Sequence, residues 1–423
     1  MKKDVPSMTE AIAFADLISQ GDRVAWSAGP MEPGTLLRAL DEQLDRIPRA
    51  STLLNLSLEH SIDAARLASR MHVIALGGAV TNRRFQDIGA LDVLPVNYSA
   101  LPDLVASRRL AIDVVLLQLT ADGDAFNLSL MVDHLADAIP GAQTVVAEIN
   151  DLLPVTYGDT RIDAQHIDHL ISVSRKPFEV IPRPARAVEK EIATHVSRLI
   201  GDGATLQIGL GSLPDAILES LTDKKNLGVH SGTIGDRVAD LVDAGVITNR
   251  KKPIDTGKCV AGTLLGSQRL YRWAHRNSFL TMRSPRYTHD ILVHAAMPRL
   301  IGINTALEVD LTGQMNAEIA QGRHVGMVGG HGDFMRGCLK SQGGRAIIAM
   351  EATARNGAIS RIVPRLSGGI VTTARSDADT VVTEYGIAEL RGRSVSERAR
   401  QLIAIAHPDF RRALAESANA GLI

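Results

Sequence analysis

The sequence is poor in aromatic residues and nearly without cysteine. Phe, Trp and Tyr make up 3% of its 423 residues, and Cys259 and Cys338 are the two thiols. So few rings argue against the aromatic stacking platforms of single-stranded nucleic-acid binders. Two thiols in a chain of this size make no disulfide framework and fit a reducing compartment. An excess of charge is also lacking: 46 Lys and Arg face 47 Asp and Glu, a formal net charge of -1. That balance excludes a strongly basic nucleic-acid binder. No apolar run reaches the roughly 18 residues that span a bilayer. Lys2 and Lys3 are followed by no apolar stretch, so the start reads as no secretory signal. The expectation is a soluble cytoplasmic protein with no nucleic-acid or membrane partner.

What is present is ordinary globular composition, 45% hydrophobic and 22% charged, in a length that predicts two or three domains. Ser7 and Glu10 have capping-box spacing ahead of an apolar-periodic run to Ile18. β-Branched runs at Val73-Ile74, Ile112–Leu119 and Thr144–Ile149 alternate with helical patterns at Thr35–Arg46 and Ser61–Arg70. This alternation predicts an α/β fold with mainly parallel sheets. Pro177, Pro182 and Pro184 exclude a helix interior between Ser174 and Ala187. The expected division is therefore 1–185 and 186–423. A second series follows: a helix through Ile192 and Val196, the strand ATLQIGL, and the helix DAILESL. Two α/β halves make a cleft between them the default site.

Gly209, Gly211 and Pro214 give G-x-G-x-x-P between strand and helix. The third glycine of a dinucleotide fingerprint is missing, so an ordinary βα turn competes with an anion-binding one. The run GMVGGHGDFMRG, Gly326–Gly337, holds too many glycines for a strand interior. It reads as a loop whose backbone amides approach a pantetheine arm, a pyrophosphate or an oxyanion. Gly329, Gly330, Gly332 and Asp333 are its candidate contacts. Glu351 follows the β-rich run AIIAM, where a carboxylate points into a cleft or into solvent. His289 and His294 lie five apart, and His324 and His331 seven apart. Neither spacing is a common zinc pattern, so no metal is expected and these read as ordinary histidines, with His331 near the site through its loop. The cysteines read as buried small hydrophobes.

Longer blocks carry a resemblance. INTALEVDLTGQMNAE (303–318), GGHGDFMRG, SQGGRAIIA, ATARNGAISRIVP (352–364) and VVTEYGIAELRGRSVSERARQLIAIAHPDFR (381–411) resemble the acetyl-CoA hydrolase/transferase family. ATLQIGLGSLPDAIL and LGVHSG extend it upstream, and the first half is similar but looser. The resemblance implies two CoA-transferase-type α/β domains with an acyl-CoA cleft between them, and a homodimer. It implies CoA or an acyl-CoA as substrate, with a carboxylate or other acyl acceptor as second partner. It also implies a glutamate nucleophile that forms a mixed anhydride and then a glutamyl-CoA thioester.

Here the sequence departs from the family pattern. Where the resemblance places H-S/T-E, this chain reads His230-Ser231-Gly232, and no Glu lies between Glu219 and Glu308. Glycine can neither attack a thioester nor carry CoA. Where relatives read IIALPSTA, the chain reads Ile347-Ile348-Ala349-Met350-Glu351-Ala352-Thr353-Ala354. Glu351 is thus a candidate for a carboxylate supplied from the other wall, as relocated nucleophile or as base for water, against simple drift. Asp236 is a weaker candidate. The leading reading is an acyl-CoA enzyme, transferase or hydrolase, lacking the usual glutamate. Changed acyl-CoA chemistry on the same scaffold and a non-catalytic acyl-CoA binder stand beside it. The first alternative covers transfer to an amine or alcohol, isomerisation, and carbon–carbon cleavage.

Overall fold

The computed structural model describes residues 11–58, 61–366 and 369–421. The chain forms two compact units: residues 1–180, 262–287 and 323–329 in one, and 181–261, 288–322 and 330–423 in the other. The main break at 180/181 falls close to the proline-rich segment. The second half is not contiguous, however, because two of its segments join the first unit. Backbone pairing is the reason. Val132 donates to the Gly262 carbonyl at 2.9 Å, Met282 to Tyr157 at 2.7 Å, and Tyr98 to Gly329 at 2.9 Å. The expected Ser7/Glu10 capping pair lies outside the described residues.

In the first unit parallel strands run in the order Leu91–Val93, Met71–Ala75, Ala50–Leu54, Arg23–Trp26, Val114–Asp122, Thr144–Asn150, His169–Val173. The first strand in sequence lies inside the sheet. The chain winds outward to Leu91–Val93, then returns to the other side of Arg23–Trp26. Such a reversal is the switch point of doubly wound sheets. Val114–Leu119 is a continuous apolar run broken only by Gln118, as expected for a strand covered on both faces. Phe14, Trp26, Leu36, Leu40 and Phe85 pack into one core. Within it Glu148 is fully buried, ion-paired to Arg175 at 2.8 Å. Glu148 also accepts the Thr35 and Leu36 amides at 2.9 and 3.1 Å. Those amides are in the first turn of the helix Gly34–Gln43, where donors lack intrahelical partners.

The second unit repeats the winding. Its strands run Gly228–Ile234, Thr205–Ile208, Leu300–Asn304, Arg345–Ala349, Thr380–Thr383, all parallel, with Gly386–Glu389 antiparallel beyond. Here Thr205–Ile208 is the inner first strand, and the reversal lies between it and Leu300–Asn304. The helix His331–Lys340 covers this sheet through Met335 and Cys338, which join Leu300, Ile348 and Val381 in the core.

Candidate active site

The strand Gly228–Ile234 carries His230, Ser231 and Gly232 at its middle, with His230 and Ser231 fully buried. Ser231 Oγ stands 3.0 Å from the Ile208 carbonyl and 2.8 Å from that of Thr233, so its one proton serves the backbone. His230 Nε2 meets the carbonyl of Thr288 at 3.3 Å. His294 Nε2 meets the same carbonyl at 2.8 Å. A carbonyl only accepts, so each ring carries its proton on Nε2. The two rings pack edge to face with centroids 5.5 Å apart. Burial drives His230 well below the usual imidazole range and lowers His294 too, so this pair is neutral.

The pair holds Thr288, and Thr288 holds His289: its Oγ1 lies 2.8 Å from His289 Nδ1. The His289 ring fills the space beside Gly232. A Cβ at position 232 would stand 3.0 Å from both Cε1 and Nε2 of His289. A Cβ at Gly330 would stand 2.4 Å from Nε2. Phe334 packs on the ring with centroids 4.9 Å apart, and stacks on His294 at 4.7 Å. Burial lowers His289 to about 3, leaving a neutral imidazole.

These contacts revise the expected glycine loop. Gly77 bridges Met327, so the first part of Gly326–Gly337 is extended chain within the first unit. The second part is helix from His331, with Gly330 as its N-cap. Gly330 and Gly337 are required by close approach: a Cβ at Gly337 would lie 2.1 Å from His294 Nδ1. Gly332 and Asp333 occupy the first helical turn, where backbone donors lack intrahelical partners. Gly329 belongs to the first unit. Gly209 and Gly211 follow the strand Thr205–Ile208, and Gly211 takes φ +120° ahead of the helix Ser212–Glu219. Asp236 opens the helix Asp236–Asp243, four residues beyond Gly232, and is buried.

Glu351 lies two residues beyond the strand Arg345–Ala349, on the same sheet as Gly232 rather than on a facing wall. Two strands separate theirs. Three spacings of roughly 4.8 Å make a lateral offset of about 14 Å, beyond the reach of one glutamate side chain. Arg186 grips both oxygens of its carboxylate. Arg186 and Arg183 each reach Glu189 at 2.9 Å, and Ser212 Oγ donates to Glu189 at 2.5 Å. Burial pushes the Glu189 carboxyl up, but the hydrogen bonds from Arg186 and Ser212 outweigh it and hold the group at about 2. Glu384 caps the strand end by accepting the Ala352 amide at 2.9 Å. Both cysteines are buried, and burial raises both thiols, Cys259 to about 11. Among the described residues no group of three His, Cys, Asp or Glu side chains is arranged to hold a metal ion.

Reading the sequence misses His289. It gives His230 and Gly232 as neighbours, but only the fold sets His289 beside them. The one available signal was a glycine standing where a side chain was expected, which left volume for another residue to fill.

The comparisons agree with this architecture. Residues 2–182 match the acetyl-CoA hydrolase/transferase N-terminal domain, and residues 266–418 match the C-terminal domain of that name. A 4-hydroxybutyrate coenzyme A transferase of Clostridium kluyveri is 38% identical over 403 residues, covering 94% of each chain. The crystal structure of RipA from Yersinia pestis superposes with a TM-score of 0.89 at 30% identity, covering 96% of both chains. A 4-hydroxybutyrate CoA-transferase from Porphyromonas gingivalis gives 0.82 at 30% identity, again over 96% of both.

Proposed function

We infer the reaction from kinship: the chain belongs to the acetyl-CoA hydrolase/transferase family, and we propose that it cleaves an acyl-CoA thioester with no glutamyl-CoA intermediate at position 232. It is an enzyme of the CoA-transferase or acyl-CoA hydrolase type. The observation that carries the finer reading is the His289 ring, which fills the space where a side chain at position 232 would begin. With no carboxylate there, the acyl group passes in one displacement, and water is the simplest acceptor.

In this reading Glu351 clamps charge rather than attacks. Its hold by Arg186 and its offset along the sheet support that role. Gly330, Gly332 and Asp333 supply backbone amides of the His331 helix N-terminus to the thioester oxygen, with Gly329 leading into them. Gly209 and Gly211 offer a second, smaller set at the neighbouring helix. The acyl group is left to pocket shape, since one methylene changes binding by only about 1–3 kcal/mol. The setting proposed is the cytoplasm, with a homodimer as the assembly. No helix among the described residues is long and apolar enough to cross a membrane.

The test is thiol release from a panel of short acyl-CoAs, with and without acetate, alongside the intact protein mass. Release without acetate and without a mass increase is the expected result. An acetate-dependent CoA exchange with a protein-bound CoA adduct would restore the two-step transferase. Silence on every thioester with CoA still bound would turn the search to amine or alcohol acceptors.

A further inference from the structure

The first unit has a hollow of about 280 Å³ beyond the carboxyl end of the strand Thr144–Asn150. That volume is at the small end for a ligand site, and doubly wound sheets bind ligands outside the carboxyl ends of their strands. One wall is the segment from Asp151 to Pro154, and the other is the helix Gln268–Ala274 with His275 behind it. Both walls are tied down by neighbouring bonds. Buried Asn150 accepts the Leu152 and Arg175 amides on Oδ1, each at 3.2 Å. The Val155 amide donates to His275 Nδ1 at 3.2 Å, and the Val155 carbonyl accepts the Arg276 amide at 2.8 Å. The Tyr271 hydroxyl anchors the helix by donating to the Phe178 carbonyl at 2.7 Å.

The lining mixes apolar and charged groups. Leu152, Leu153 and Pro154 give it apolar surface, and Leu152 is 48% exposed. Asp151 lines it from the segment and Arg272 from the helix, yet no ion pair joins them, and neither charged group has another partner among the described residues. Gln268 lines it too, and its buried Nε2 has no hydrogen-bond partner. Buried donors are ordinarily paired, so this one calls for an acceptor. His275 accepts on Nδ1, so its own hydrogen lies on Nε2. The hollow thus combines donors on three side chains, one carboxylate and an apolar surface. A simple carboxylate would satisfy the donors but meet the charge of Asp151. A simple amine would satisfy Asp151 but meet the charge of Arg272. A molecule carrying both charges answers both.

We propose that this hollow is a binding site for a small α-amino acid with an apolar side chain. Its carboxylate bonds to Arg272, Gln268 and His275, its ammonium to Asp151, and its side chain packs on Leu152, Leu153 and Pro154. The strong terms are the charge-assisted hydrogen bonds at the two charged ends. The site stands apart from the thioester reading and does not depend on it.

The test is isothermal titration of the full chain with L-leucine, 4-methylpentanoate and 3-methylbutylamine. The second is leucine without its ammonium, and the third is leucine without its carboxylate. Leucine is expected to saturate one site per chain, with each analogue weaker by about tenfold or more, because each loses one charge-assisted contact and faces one repulsion. Absence of saturation by leucine at millimolar concentration would overturn the proposal, as would an analogue that binds as tightly as leucine. Arg272→Gln and Asp151→Asn should each weaken leucine by about tenfold or more at an unchanged melting temperature. Unchanged affinity in either folded variant would put the ligand elsewhere and overturn the assignment. If a variant fails to fold, the two analogues decide, since they are measured on the wild-type chain.

Discussion

Gly337→Ala tests the histidine frame without touching the space beside Gly232. Alanine is a better helix former than glycine, worth about 1 kcal/mol in a helix interior. The His331 helix would therefore gain if nothing opposed the methyl. The structure opposes it strongly. The new Cβ would lie 2.1 Å from Nδ1, 2.6 Å from Cγ and 2.7 Å from Cβ of His294. The ring cannot step aside freely, since it is fully buried, bonded to the Thr288 carbonyl at 2.8 Å and stacked on Phe334. Overpacking of this kind costs about 1–3 kcal/mol, occasionally more. A 2.1 Å approach to a fixed ring puts the cost at the top of that range, about 3 kcal/mol, so after the helix gain a net loss of about 2 kcal/mol is expected. For a unit of this size that lowers the melting temperature by roughly 4–8 °C. Scanning calorimetry reads it, with Gly209→Ala as control, since nothing lies within 4 Å of a Cβ there. In a His294→Ala background Gly337→Ala should cost much less, because the clashing atoms are gone. A Gly337→Ala protein as stable as wild type would refute the packing argument.

Three further outcomes are expected. Glu189 is held at about 2 in the fold, below its ordinary value of 4.5. Its stabilisation is thus complete above about pH 4.5 and is lost as the pH falls toward 2. Glu189→Gln should accordingly melt several degrees lower at pH 7 and converge on wild type near pH 2–3, and an unchanged gap across that range would contradict the assignment. Glu351→Gln should leave turnover within about tenfold, because its carboxylate is engaged by Arg186, whereas a nucleophile or base would lose hundreds-fold. Cys259 and Cys338 are buried with raised thiols, so a thiol reagent should label neither in native protein and both after denaturation; rapid native labelling would count against the burial described.

Much of the fold was legible because buried parallel strands announce themselves in a single sequence. Val114–Asp122 and Thr144–Asn150 are apolar, β-branched runs between helical periods, and they fall where the pattern puts them. The proline-rich segment before Ala187 lies beside one of the breaks between units, at 180/181, but the contiguous 1–185 and 186–423 division does not describe them, since 262–287 and 323–329 belong to the first unit. The glycine run was harder. Read alone, GMVGGHGDFMRG looks like a loop, since glycine is costly in regular structure. In the fold Gly330 and Gly337 are tolerated in and beside a helix because histidine rings occupy the space of their missing side chains. That reason is tertiary and cannot be read from the local sequence.

The candidate site divides along the same line. The sequence by itself determined the family, the absence of a carboxylate at position 232, and the α/β alternation outside the glycine run, because local pattern and shared blocks are properties of contiguous residues. Only the tertiary structure decided what stands beside Gly232. It set His289 there, fixed through Thr288 by His230 and His294, and put Glu351 three strands along the sheet in the grip of Arg186. Strand order and close approach between distant segments set those distances, and no spacing along the chain encodes them.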